Sequence, residues 1–144
     1  MPLLRELDTA QCERLLRRAV FGRVVLMTPD GPEAVPVNYI VRDDTVVVRT
    51  GPEGLVARYA DGQRIAFQVD LVDETYWQGW SVVARGLGEV VHAVPEVPGR
   101  PAPRPWAAGD RSTELRLAWT ELTGRCVGDG WDLEATMFSR RQAR

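Results

Sequence analysis

Residue types that do side-chain chemistry are scarce in this chain, and the scarcity is informative. His92 is the single histidine, so one chain cannot assemble a multi-histidine metal centre, and any histidine-based triad would have to use that residue. No serine sits in a G-x-S-x-G elbow. All eighteen basic residues are arginine. Without lysine there is no Schiff-base nucleophile and no Walker-type phosphate loop. Cys12 and Cys126 are far apart, lack metal-ligand spacing and read as buried thiols. Redox chemistry in such a chain needs a cofactor to carry the electrons.

The elements that must position the remaining polar groups follow from periodicity. Asp8 is a plausible N-cap with Gln11 completing a capping box, and Leu15, Leu16 and Ala19 recur at helical spacing opposite Arg14, Arg17 and Arg18. The pattern predicts an amphipathic helix over 9–19 with a solvated arginine face. From Gly22 onward strands take over: 23–28, 34–41 and 45–50, joined by Pro29-Asp30-Gly31-Pro32 and Arg42-Asp43-Asp44. Residues 53–59 have helical character, and strands follow over 64–70, from Trp80 to about His92, and over 115–127. Residues 93–105 hold five prolines and predict an extended surface connection. A mainly β domain results: an antiparallel barrel with helices packed outside.

With 144 residues, 44% apolar and 26% charged, the chain fits one globular domain over 1–144. A net charge of −2 with scattered signs offers no footprint for nucleic acid. No apolar run approaches the ~20 residues that span a bilayer, and the opening MPLLRELD becomes charged at once, so a cytoplasmic protein without a secretory signal is expected.

Several segments in order carry a resemblance: FGRV at 21–24, VPVNY at 35–39, VVVRTG at 46–51, IAFQVD at 65–70, GWSVVARG at 79–86, PWAAGDR at 105–111 and TGR at 123–125. Together they resemble the pyridoxamine 5′-phosphate oxidase-like superfamily, especially its nitroimidazole-resistance-related branch, over roughly residues 4–127. The resemblance implies a six-stranded antiparallel split barrel of the FMN-binding type, a homodimer with FMN in the clefts between subunits, and an oxidoreductase acting on a small organic substrate. It also implies cofactor contacts at Pro36, Val37, Asn38 and Tyr39 under the flavin ring. Arg49, Thr50, Gly51 and Leu55 would surround the phosphate. Trp80, Ser81 and Val82 would meet the flavin, the Trp106 region would come from near the dimer partner, and Arg85 would serve the cofactor, the interface or an internal ion pair.

Chemistry is compatible with those assignments. Arg49 offers a bidentate charged contact for a phosphate dianion, and the amides of 51–55 would lie at a helix N-terminus. Tyr39 is the nearest proton-bearing group in the proposed slot. Relatives commonly carry a lysine after the RT pair; here Arg49-Thr50-Gly51-Pro52-Glu53-Gly54-Leu55 has none, and Arg58 is the next cation. That departure keeps two alternatives open: a deazaflavin-dependent reductase of the same fold, and a non-enzymatic protein with a degenerate flavin site that binds haem or another ligand or serves as an interaction protein.

Overall fold

The computed structural model describes residues 3–128. The expected C-terminal tail, with Arg140, Arg141 and Arg144, lies outside the described residues apart from Gly128. Strand β1 (Leu4–Glu6) leads into helix α1 (Thr9–Arg18), whose start is the capping box expected from the sequence. The Asp8 carboxylate accepts from the Gln11 amide at 2.8 Å, and the Gln11 side chain accepts from the Asp8 amide at 3.0 Å. These bonds satisfy two backbone groups that a helix start leaves unpaired. Asp8→Ala should therefore lower unfolding stability by about 1 kcal/mol in a urea titration. Cys12, Leu15 and Leu16 form the buried face of α1. Burial first, then the Asp8 charge, push the Cys12 thiol above its ordinary pKa despite an opposing backbone hydrogen bond, which keeps it an inert core group. On the other face Arg17 is docked, donating to Asp44 at 2.7 Å and to the Asp43 carbonyl at 2.9 Å.

The sheet comprises β2 (Phe21–Thr28), β3 (Gly31–Asn38), β4 (Ile40–Arg42), β5 (Thr45–Thr50), β6 (Arg64–Asp73), β7 (Gln78–Val91), β8 (Thr113–Ala118) and β9 (Glu121–Val127), with the five-residue helix α2 (Leu55–Tyr59) after β5. Its spatial order is β3-β2-β6-β7-β8-β5-β4, with β9 also on β7 and β1 on β9. The two ends of that path, β3 and β4, are separated in sequence by Tyr39 alone. A sheet whose first and last strands are covalent neighbours must curl back on itself, and this is the physical reason for a barrel. Inside lie Val24, Leu26, Val46, Val48, Ile65, Phe67, Val69, Trp80, Val82, Leu115 and Leu117, and α1 packs against this core.

Strand β7 organises the barrel. One edge pairs β6 from Arg64↔Leu87 to Asp73↔Gln78. Further pairings run to β9 over 79–85 and to β8 over 88–91. Between these stretches Gly86 and Leu87 face three residues, Ala118 to Thr120, so the run expected as one strand over 115–127 contains a β-bulge. The bulge brings backbone close to Gly86, where an added Cβ would lie 2.6 Å from the Ala118 carbonyl oxygen.

The expected antiparallel barrel with flanking helices is what the chain forms. Nine strands are described where six were expected; the surplus is the short β1, the short β4 and the division at the bulge. The run over 34–41 is interrupted because the Tyr39 side chain turns into the core. α2 starts at Leu55, since the Pro52-to-Gly54 stretch forms a turn instead.

Strands β5 and β8 are buried on both faces. Val46, Val48, Leu115 and Leu117 face the core, while Val47 and Glu114, on the opposite face, are 0% and 1% exposed. Their cover is the proline-rich connection expected over 93–105, which continues irregularly to residue 112 and has buried positions of its own, Val94 and Pro103. We call it the strap. It is pinned by hydrogen bonds from Arg42 to the Pro101 carbonyl, from the Asn38 amide to the Arg104 carbonyl, and from the Val94 amide to the Ser112 carbonyl.

Candidate functional site

Three arginines converge on one carboxylate beneath the strap. Register places Arg49 opposite Glu114 and Val47 opposite Arg116, while Arg42 sits opposite Thr45 on the next strand. Alternation along β5 and β8 then sends Arg49, Glu114 and Arg116 to the strap side. Glu114 Oε1 accepts from Arg42 Nη2 at 3.1 Å and from Arg116 Nε at 3.0 Å. Burial acts to raise the Glu114 pKa, but hydrogen bonds from Arg116 and Arg42 and their charges prevail and hold it below the ordinary carboxylate value. Its folded pKa being depressed, its contribution to stability is complete above the ordinary value and fades as pH falls through the lowered one. In thermal melts, acidification through that range should narrow the stability difference between the wild type and Glu114→Gln.

Arg49 differs from its two neighbours. Its ion-pair contacts are long, 3.9 Å from Nε to Glu114 and 3.8 Å from Nη1 to Glu96, and the latter carboxylate is 91% exposed. Its Nε is buried without a hydrogen-bond partner. Arg49 is thus a largely buried guanidinium whose hydrogen-bonding capacity is poorly used, and such a group favours an incoming anion.

The other sequence-predicted residues fall into three sets. Asn38, Thr50, Gly51 and Trp106 belong with Arg49 around the strap. Trp106 stacks on Phe21, with ring centroids 5.5 Å apart and planes 9° from parallel, and Phe21 pairs with Asn38 across β2 and β3. Thr50 pairs with Thr113, and a Cβ on Gly51 would lie 3.0 Å from Arg111 Nη1. Leu55 opens α2 nearby and is partly exposed. Ser81 and Arg85 form a second set on the outer face of β7. Ser81 borders a groove of about 420 Å³ whose walls include Asp70, Val72, Trp77, Gly79 and Arg125. Arg85 donates to Thr123 Oγ1 at 3.0 Å. Pro36 is exposed on β3.

The third set lies in the core. Tyr39, Trp80 and Val82 are core residues, 3%, 3% and 0% exposed, and Val37 packs against the same core. The Tyr39 hydroxyl donates to the Leu16 carbonyl and its ring meets Phe67 edge-on, so it is no proton donor in an open slot. α2 does not supply the expected helix terminus either. It has five residues, and the Gly54 amide is already bonded to the Gly51 carbonyl at 3.3 Å. Arg58 does not replace the missing lysine, because its guanidinium donates to the Tyr59 hydroxyl and lies over that ring.

Sequence reasoning missed Arg42, Glu114 and Arg116. One signal pointed to them. The unbroken Val46-Val47-Val48 run marks a strand covered on both faces, and any charged neighbour on the second face must then be paired.

A family model described as pyridoxamine 5′-phosphate oxidase matches residues 8–126. The chain belongs to the pyridoxamine 5′-phosphate oxidase family. Among solved members of this fold, an FAD-binding protein from Mycobacterium smegmatis is 25% identical, with a TM-score of 0.66 over 86% of this chain and 98% of that one. An FAD-binding protein from Mesorhizobium loti superposes with a TM-score of 0.67 at 20% identity, covering 90% of this chain and 100% of that one. At that identity the likeness speaks for the fold. Rv0080, an uncharacterized protein of Mycobacterium tuberculosis, is 37% identical over 91 residues, which is 60% of this chain. The chain spans 60% of the length of that curated relative. Among the described residues of this pyridoxamine 5′-phosphate oxidase family member, no helix is long and apolar enough to cross a membrane.

Proposed function

We propose that the protein binds a flavin nucleotide, FMN, at the boundary between two copies of the chain, and uses it as an oxidoreductase on a small organic substrate. The observation that carries this reading is Arg49: a largely buried, weakly paired guanidinium at the place where the family resemblance puts the phosphate. Family membership and the FAD-binding relative support the choice of a flavin. FMN is the smallest flavin to bring the phosphate, and FAD brings a phosphate in the same place within its diphosphate.

Arg49 would hold that phosphate, with Thr50 and the Gly51 backbone beside it. Asn38 and the Phe21–Trp106 stack would border the ring. The strap-side residues and the outer-face residues Ser81 and Arg85 lie on different strands facing different ways. Two copies, each contributing one set, would complete a cleft, which is why we propose a homodimer. A bound flavin supplies hydride transfer at N5, while the chain binds, orients and excludes water.

An absorbance spectrum of the purified protein, followed by titration with riboflavin, FMN and FAD, tests the reading. A flavin band, or tight uptake of FMN, supports it and makes a redox assay the next step. A colourless protein that takes up none of the three would sink it. A Soret band or a deazaflavin spectrum would assign a different ligand to the same fold.

A further inference from the structure

Glu114 is the one carboxylate among the described residues that is buried, and three guanidinium groups surround it. Cations placed this close, and partly removed from water, repel one another and would swing outward if left uncompensated. Arg42 and Arg116 are fixed to Glu114 Oε1 by hydrogen bonds, whereas Arg49 faces the second oxygen, Oε2, at 3.9 Å. The other anion near Arg49 is Glu96 on the strap, at 3.8 Å; being 91% exposed, it is screened by solvent and holds little. Orientation of the Arg49 side chain is therefore set from below.

We infer that Glu114 is a positioning residue, which keeps Arg49 turned toward the place where the ligand's phosphate docks. This inference rests on the flavin-nucleotide reading above. It opposes the simple expectation from charge, by which removing an anion beside a phosphate site strengthens phosphate binding. Preorganisation decides the sign. A guanidinium already held in its binding geometry loses less freedom when the ligand arrives, and a fork-shaped donor depends on angle as well as charge.

The test compares FMN with riboflavin, which lacks the phosphate, in four proteins: wild type, Glu114→Gln, Arg49→Ala and the double variant. Glu114→Gln should weaken FMN about tenfold and leave riboflavin within about twofold. On the Arg49→Ala background the same change should leave the FMN-to-riboflavin ratio where it was. A role confined to stability would weaken both ligands alike on both backgrounds, and that result, or FMN binding unchanged or tightened by Glu114→Gln, overturns the inference. Should Glu114→Gln fail to fold, Glu114→Asp retains the charge and draws the carboxylate back by one methylene. Its ratio should fall about threefold, and an unmoved ratio overturns the inference equally. A wild type that takes up neither flavin rejects the flavin reading itself, whereas one that binds both equally overturns this inference alone, and either shows before any variant is compared.

Discussion

Arg49→Ala should bind FMN at least about tenfold more weakly than the wild type while riboflavin affinity stays nearly level. A hydrogen-bonded charge contact contributes about 1.5–3 kcal/mol, or roughly ten- to more than a hundredfold in affinity. Arg49 should reach a good part of that range. Alanine also removes a cation from a cluster that holds more guanidinium groups than the one buried carboxylate can neutralise, so folding itself should suffer little. Isothermal titration with both flavins checks the expectation. Equal losses for riboflavin and FMN would place Arg49 against the ring rather than the phosphate, and no loss for either would remove it from the site.

Phe67→Ala should cost about 3–5 kcal/mol of unfolding free energy, the range for emptying a buried aromatic site. Phe67 is 1% exposed and meets the Tyr39 ring at 4.6 Å in an edge-on contact. Its tip occupies space left by Gly22, where an added Cβ would lie 2.5 Å from the Phe67 ring carbon Cζ. Side chain and glycine are matched, and neither β2 nor β6 can shift to fill the void without breaking the pairing of Val24 with Phe67. Domains of this size have about 5–15 kcal/mol in all, so the loss is a large share. Guanidinium titration of the two proteins measures it; a change under about 1 kcal/mol would mean the barrel collapses around the gap.

What could be read from the sequence was chiefly what is local. The Asp8–Gln11 capping box needs a few neighbouring residues, and it formed as expected. Strand positions followed from runs of valine and leucine. Tyr39 illustrates the limit: a polar-tipped aromatic beside Asn38 resembles a ligand contact, yet its hydroxyl finds a carbonyl on a helix 23 residues earlier. Glu114 is the converse case. In the Thr113-to-Ala118 strand it alternates with leucines like any solvent-facing acid, yet it is buried among Arg42, Arg49 and Arg116, on the side of the sheet where the strap is pinned from Asn38 and Arg42. Burial on a strand's second face is decided by whatever crosses over it, and no window of sequence contains both partners.

The extra residue at the bulge also sets the phase of the barrel. Before it, odd-numbered residues turn inward, as Leu115 and Leu117 do; after it, even-numbered ones do, as with Leu122 and Cys126. Dropping one residue between Ala118 and Thr120 would present Thr123 and Arg125 to the core and send Cys126 outside. Ala118 and Thr120 themselves are exposed. At those two positions the corner is forgiving of spelling and strict about length, while Trp119 between them is held by its packing against the core.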